Sequence, residues 1–205
     1  MFAAVTGLGL SASAGLNAYI PILVVGLLGR FTDAVPLPHE FAWMTSGWAM
    51  AVIGALLAAE VVLDKVAVVD HFNDMIQTAV RPAAGGAVFA ATSAAEQVDA
   101  SSFMRDNPWI GWVLGIVVAF VVHLAKSSVR PVINAGTLGT GTPVVSAVED
   151  SVSLGMSLLA ILLPVVALIF LIVFAWTLFR LVRKVRARRR RRQARTTPHA
   201  GRASP

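Results

Sequence analysis

The sequence contains no cysteine and few charged residues. Without cysteine, disulfide bonds, thiolate catalysis and cysteine-ligated metal sites are excluded. Asp, Glu, Lys and Arg make up only 14% of the 205 residues and hydrophobic residues 57%, and the mean hydropathy is +0.74. This composition is too apolar for a typical soluble domain, and it leaves room for several membrane spans of about 20 residues each.

Recognisable catalytic and targeting motifs are also missing. The sequence has no nucleophile motif, no phosphate-binding loop and no His-x-x-His ligand pair. The first apolar run, residues 3–29, lacks a preceding basic segment, and a second apolar half follows any cleavage at its Ser-Ala-Ser-Ala stretch. We therefore interpret the run as a membrane helix and not as a cleaved signal peptide.

The charges are unevenly distributed along the chain. Eleven of the 17 Lys and Arg residues lie from Arg180 onward with no acid among them, which leaves six basic residues against all 11 acids before that point. The positive-inside rule places this basic end in the cytoplasm. Contact with anionic lipid head groups explains it more simply than nucleic-acid binding, so we expect no nucleic-acid partner. We expect a transmembrane domain at 1–182 and a disordered cytoplasmic tail at 183–205.

A polar stripe interrupts the apolar sequence at residues 70–86. On a helix, steps of three and four place five polar residues on one face: Asp70, Asn73, Asp74, Gln77 and Arg81. Pro82 predicts the end of this helix, and Gly85-Gly86 predicts a turn. The apolar segment that follows, 83–95, is short for a span. We expect it to be a re-entrant half-helix, with a short tilted span as the alternative.

A second stripe lies at the end of the apolar run 109–128. It consists of His123, Lys126, Ser127, Arg130 and Asn134. An Arg-Pro pair follows here as well, at Arg130-Pro131. The segments Val80-Arg81-Pro82 and Val129-Arg130-Pro131 are 49 residues apart. The match suggests an internal repeat. We expect the acidic and amide residues of the first stripe, together with Arg81, to face Lys126 and Arg130 across a polar interior.

Three further polar groups lie in or beside apolar runs. Their members are Asn17; Glu60, Asp64 and Lys65; and Ser146, Glu149 and Asp150. Pro21, four residues after Asn17, lacks an N–H, which indicates either a packing kink or a broken helix that lines a polar site. The third group occupies the first turns of a helix that Thr142-Pro143 would cap, where the helix dipole alone favours acids.

Four apolar runs are long enough for full spans, and they cover residues 3–29, 47–65, 109–128 and 151–180. With the C-terminus in the cytoplasm and 83–95 re-entrant, the second and third spans run in opposite directions. The sequence therefore predicts an all-α, polytopic integral membrane protein. It would have four full transmembrane helices, re-entrant or broken segments and an inverted repeat.

So many charges at membrane depth need partners or water, because an acid within a span costs about 2.5 kcal/mol or more. A buried ion-pair network that holds helices together is one interpretation. The favoured hypothesis is a transporter or channel that binds a small ion or charged solute in a polar cavity, where acids and His123 relay protons. One alternative is a membrane enzyme that clamps a lipid or isoprenoid phosphate and holds a metal between acid pairs. The other is a non-catalytic assembly or lipid-binding factor.

The sequence identifies no catalytic residue and no cofactor. Its expected partners are the lipid bilayer, the anionic lipid head groups at the Arg-rich tail and the transported ion or solute. The oligomeric state is left open, a homo-oligomer included.

Several motifs are similar to those of a known family. They are Gly-Leu-Asn17-Ala-Tyr-Ile-Pro21, Glu60-x-x-x-Asp64-Lys65, Asp70-x-x-Asn73-Asp74, Val-Arg81-Pro82, His123-x-x-Lys126, Asn134, Thr142-Pro143 and Ser146-x-x-Glu149-Asp150, in order over residues 5–165. The chain resembles an uncharacterised bacterial family of multi-pass membrane proteins known only as a domain of unknown function. The resemblance implies a protein of the bacterial inner membrane and supplies no activity or substrate.

Overall fold

The computed structural model describes residues 2–65, 67–95, 107, 109–138, 140–173, 175–177, 180 and 183. Over these residues the chain is helical and has no strand. The elements are α1 (Phe2–Leu16), α2 (Tyr19–Phe31), a short 3-10 helix η1 (His39–Thr45), α3 (Gly47–Leu63), α4 (Ala67–Ala95), α5 (Trp109–Thr137) and α6 (Thr142–Leu162). The predicted all-α class is confirmed.

Two of these helices are long and apolar enough to cross a membrane. They are Trp109–Pro131 within α5, and α6. A third crossing is added if η1 and α3, which are bent by 59° relative to one another, form one broken span. Within α1, Ala4–Leu16 counts only as a shorter apolar helix, as do α2 and Pro164–Thr177. The described helices are thus compatible with a membrane protein, and the four full spans stay a prediction.

Large apolar side chains face outward along both long apolar helices. On α5 they recur every fourth residue at Trp109, Val113, Val117 and Val121, and on α6 they include Val144, Val148, Leu158 and Leu162. A soluble monomer seldom exposes apolar surface over such a length. The same surface is favourable against lipid tails, so the outer face supports the membrane interpretation.

The short helix α1 lies at the centre of the first compact unit, residues 1–169, and packs against α4, α5 and α6. Every residue from 9 to 18 is buried. The Oγ of Ser11 donates to the carbonyl of Gly85 at 2.9 Å, and the Oγ of Ser13 lies 2.6 Å from that of Ser157. Small residues on α1 therefore allow close helix approach and also supply hydrogen bonds between helices.

α4 and α5 run antiparallel along a seam of small residues. An added Cβ at Gly85 would lie 2.7 Å from the carbonyl oxygen of Gly115, and one at Gly86 would lie 2.9 Å from the Trp112 side chain. Further along the same pair of helices, Arg81 meets His123. Residues earlier in α4 contact residues later in α5, so the two helices are antiparallel.

The prediction that Pro82 ends the helix and that Gly85-Gly86 forms a turn is wrong. α4 continues without interruption to Ala95 and contains Pro82 in its interior. α5 likewise continues through Pro131 to Thr137. A proline removes one backbone hydrogen bond, but neighbouring helices can hold a long helix together across that point. The two glycines serve close packing against α5 and not a reversal, so 83–95 is the second half of a continuous helix and not a separate re-entrant segment.

Gly85→Ala is expected to lower the free energy of unfolding by about 1–3 kcal/mol, because the seam has no room for a methyl group. Gly155→Ala is the matched control, since nothing lies within 4 Å of the Cβ it would add to another apolar helix. Thermal or denaturant unfolding of the detergent-solubilised protein measures both. Equal stability of the two variants would contradict close packing at the seam.

The second compact unit comprises residues 170–205. In its described part, the guanidinium carbon of Arg180 lies 3.9 Å from the centroid of the Trp176 ring. This is a cation–π contact of the kind that interfacial residues make. Residues 184–205, which contain most of the predicted tail, lie outside the described residues.

Candidate functional site

Four helices bring eight titratable side chains into one cluster, which we call the charge network. Its members are Glu60 and Asp64 from the end of α3, Asp74 and Arg81 from α4, His123, Lys126 and Arg130 from α5, and Glu149 from α6. Within each helix the members are three, four or seven residues apart, so they share one face. The helical spacing of the sequence thus turns separate stripes into one interior cluster.

Asp64 is the carboxylate on which the cations converge. Its Oδ2 lies 3.0 Å from Arg130 Nη2, 3.5 Å from Lys126 Nζ and 3.8 Å from Arg81 Nη2. Its Oδ1 accepts a hydrogen bond of 2.6 Å from Asn73. Only 1% of Asp64 is exposed, so it binds three cations where water screens little.

Arg81 is the second centre of the network and is wholly buried. Its Nη2 donates to Glu60 Oε1 at 2.9 Å. Its Nη1 lies 3.2 Å from His123 Nδ1 and 3.7 Å from Asp74 Oδ1. One guanidinium therefore joins α3, the first half of α4 and α5.

Glu149 joins α6 to the same cluster. Its Oε2 lies 3.1 Å from Lys126 Nζ and accepts a hydrogen bond from Arg130 Nη2. Glu149 is only partly buried, since 13% of its side chain is exposed. It is thus a point where the network approaches the surface of the bundle.

The network also reaches the break between α1 and α2. Lys126 Nζ donates to the carbonyl of Leu16 at 2.9 Å, at the last residue of α1. Asn17 Oδ1 accepts from the backbone N–H of Tyr19 and of Ile20 at the start of α2. The amide of Asn17 in turn donates to Asp150 Oδ1 at 2.9 Å. Lys126 of α5 and Asn17 at the break itself therefore satisfy the backbone groups that the break exposes, and Asp150 of α6 holds the Asn17 side chain.

Of the two interpretations of Asn17 and Pro21, the structure shows a broken helix, with α1 ending at Leu16 and α2 beginning at Tyr19. Pro21 lies in the first turn of α2, where a missing N–H leaves no bond unmade. The carbonyl that takes a side-chain partner is therefore that of Leu16.

Carboxylates outnumber cations in the interior that the structure describes. The network contains four carboxylates and three Lys or Arg residues, and Asp150 is a fifth acid beside it. Several buried acceptors have no hydrogen-bond donor among the described residues: Glu60 Oε2, Asp74 Oδ1, Gln77 Oε1 and Ser146 Oγ. The Nε of Arg81 likewise has no acceptor among the described residues. The interior therefore has more carboxylates than cations, and the unpartnered side-chain acceptors among these residues outnumber the one unpartnered side-chain N–H.

One protein family matches nearly the whole chain. The family model covers residues 4–184 and is described as Domain of unknown function (DUF4126). The chain belongs to the DUF4126 family. The DUF4126 match contains the helix break and every member of the charge network, and it confirms the family expected from the motifs. No curated protein and no solved structure matches the chain.

Most of the predicted polar residues of this DUF4126 chain lie in or beside the network. Arg81, Lys126 and Arg130 meet as expected, but they do so at Asp64 of α3. Gln77 and Ser146 are buried, whereas Lys65 is exposed. The backbones of Asp70 and Asn134 lie in α4 and α5, and their side chains are outside the described part of the structure.

Two features of the site were not predicted. Thr78 Oγ1 lies 3.0 Å from His123 Nε2, and its position four residues after Asp74 and three before Arg81 was the signal that could have identified it. The serine contacts between α1 and α6, Ser13 with Ser153 and Ser157, had no such signal, because they join residues 140 and 144 positions apart.

Proposed function

We propose that this protein moves a small ion or charged solute across a membrane and that the charge network is where the cargo binds. The supporting observation is the unsatisfied acceptor capacity of the interior, where acids exceed cations and Glu60 Oε2 and Asp74 Oδ1 accept no hydrogen bond from a described residue. A buried acid with an unmade hydrogen bond is costly. A positively charged cargo would offset that cost.

A purely structural network is the main competing explanation. The side chains contact one another directly, and ion pairs between α3, α4, α5 and α6 must hold these helices in register. A network retained only for packing should satisfy every buried member, because one that is partly satisfied is less stable than an apolar core. The unpartnered oxygens of Glu60, Asp74 and Gln77 favour a site that exchanges a ligand.

The same geometry argues against an enzyme that binds phosphate. Arg81, Lys126 and Arg130 are each paired with carboxylates, and Lys65 is exposed. Among the described residues, no group of three or more His, Asp or Glu side chains is placed to hold a metal ion. An anionic lipid group would meet an interior in which negative charge already predominates.

The placement in the cell belongs to the same proposal. We place the protein in the bacterial inner membrane with its C-terminus in the cytoplasm, because Lys and Arg are concentrated from Arg180 onward. Four full spans and contact of the tail with anionic lipids complete this arrangement. The inverted repeat is not part of it, because that expectation required 83–95 to be re-entrant and α4 is continuous. A homo-oligomer is compatible with it.

Ion flux into liposomes tests the proposal. Purified protein is reconstituted, and separate gradients of H⁺, Na⁺, K⁺ and Cl⁻ are applied to proteoliposomes and to protein-free liposomes. At least one ion is expected to cross faster with the protein, and Glu60→Gln should slow it about tenfold because Arg81 loses a charged partner. Glu40→Gln is the matched control, because Glu40 is exposed in η1. Flux no faster than in protein-free liposomes for all four ions would refute the proposal.

A further inference from the structure

The contacts of His123 fix where its proton lies. Arginine has only donors and stays charged, so the ring nitrogen that faces Arg81 Nη1 at 3.2 Å must carry a lone pair. That nitrogen is Nδ1, and the proton of the neutral ring is therefore on Nε2. Nε2 can then donate to Thr78 Oγ1 at 3.0 Å, and the Thr78 hydroxyl donates to the carbonyl of Asp74 at 2.8 Å. Every donor in this chain has an acceptor when His123 is neutral.

A proton on Nδ1 and the contact with Arg81 exclude one another. A protonated ring would place an N–H and a positive charge against a guanidinium that can only donate. Proton uptake at Nδ1 must therefore break the hydrogen bond between Arg81 and His123. The bond from Nε2 to Thr78 is unaffected, because that nitrogen already carries its proton.

An acceptor for the displaced guanidinium is already in place. Asp74 Oδ1 lies 3.7 Å from Arg81 Nη1, and it accepts no hydrogen bond from any residue that the structure describes. Glu60 holds the other guanidinium nitrogen, Nη2, at 2.9 Å. Arg81 can thus rotate from His123 to Asp74 by about an ångström while it stays bound to Glu60.

We infer that the cargo or coupling ion is a proton, that His123 Nδ1 binds it, and that Arg81 moves from His123 to Asp74 when it does. The inference rests on the proposed function, since it names the ion that the same network handles. In the step, Nδ1 accepts a proton from a hydronium ion, which leaves as water, the Arg81–His123 hydrogen bond breaks and an Arg81–Asp74 hydrogen bond forms. The network gains one positive charge.

The charges closest to the ring oppose that gain until Arg81 moves, because the guanidinium contacts Nδ1 and Lys126 lies three residues further along the same helix. The other charged and titratable members of the cluster are Glu60 and Asp64 from α3, Asp74 from α4, Arg130 from α5, and Glu149 and Asp150 from α6. α1 contributes no titratable side chain. With Arg81 and Lys126 included, the cluster contains five acids and three cations, so it has carboxyl groups to pair with Arg81 when the guanidinium leaves the ring.

Histidine nitrogen NMR of the full-length protein in detergent tests the site directly. The His123 signal is identified as the one lost in His123→Gln, and His39→Gln serves as the matched variant because His39 is exposed in η1. At neutral pH the wild-type ring is expected to carry its proton on Nε2 alone. At one chosen acidic pH, Arg81→Gln should raise the ratio of doubly protonated to neutral rings about tenfold, and Asp74→Asn should lower it. Asp33→Asn, at an exposed aspartate, should leave the ratio unchanged.

Proton flux in liposomes separates this inference from the proposed function. Flux driven by a pH gradient should be lost in His123→Gln and kept in His39→Gln. If Na⁺, K⁺ or Cl⁻ crosses while H⁺ does not, the proton inference fails and the transport proposal stands. If no ion crosses, the transport proposal and the inference built on it both fail. Two NMR results would overturn the inference even if protons cross. One is a proton on Nδ1 of the wild-type ring at neutral pH. The other is a change of the ratio of doubly protonated to neutral rings in the same direction in Arg81→Gln and Asp74→Asn.

Discussion

Asp64→Asn is expected to lower the free energy of unfolding by about 3–5 kcal/mol, because it removes the one carboxylate that Arg81, Lys126 and Arg130 share. The substitution keeps the size of the side chain and leaves an oxygen to accept from Asn73, so the charge is the main change. Glu149 still pairs with two of the three cations. Arg81 keeps its ion pair with Glu60.

Unfolding in detergent micelles, followed by circular dichroism against temperature or denaturant, measures this loss. Asp33→Asn makes the same chemical change at an exposed position and should alter stability by no more than about 0.5 kcal/mol. A loss below about 1 kcal/mol for Asp64→Asn would mean that water or Glu149 compensates the buried cations. The assignment of Asp64 as the centre of the network would then be wrong.

Arg81→Leu should also cost about 3–5 kcal/mol, and Glu60→Leu added to it should recover much of that loss. The single change leaves Glu60, of which only 2% is exposed, buried without its cation. The double change replaces the pair by apolar groups, which is often close to neutral for a buried ion pair. A coupling energy well above about 0.5 kcal/mol in the double-mutant cycle is therefore expected.

The same pair of variants separates stability from transport. If the network serves ion movement, the Arg81→Leu/Glu60→Leu protein should be folded and yet inactive in the liposome assay. A double variant with wild-type flux would reduce the Arg81–Glu60 pair to a packing role. Glu40→Leu, at an exposed glutamate, provides the control for the change of residue type.

Local patterns predicted much of the site. Steps of three and four identified the faces of α4 and α5, and the proline after Asn17 identified the break between α1 and α2. These signals work because they depend on residues a turn or two apart. Arg81 lies near Lys126 and Arg130 as expected, and all three contact Asp64. Charges at membrane depth need counter-ions, which explains why they share one.

Tertiary packing determines the features of the fold that local sequence patterns did not predict. Pro82 and Pro131 predict helix ends, but both lie inside long helices. The local loss of a hydrogen bond is offset by contacts such as that of Gly85 with Gly115, which no local pattern contains. Similarly, we expected the acids of the first stripe to face the Lys and Arg of the second. An acid that pairs with both is Asp64 at the end of α3, which belongs to neither stripe.

The enclosed position of α1 has a consequence for how the chain assembles during synthesis. This helix leaves the ribosome before α4, α5 and α6, yet Ser11 must wait for Gly85, the carbonyl of Leu16 for Lys126, and Ser13 for Ser153. Closing such long loops delays the native contacts of the earliest segment. A nascent chain that ends before α6 therefore holds a first helix with polar groups still unpaired, and it should be a preferred substrate for membrane insertases or proteases.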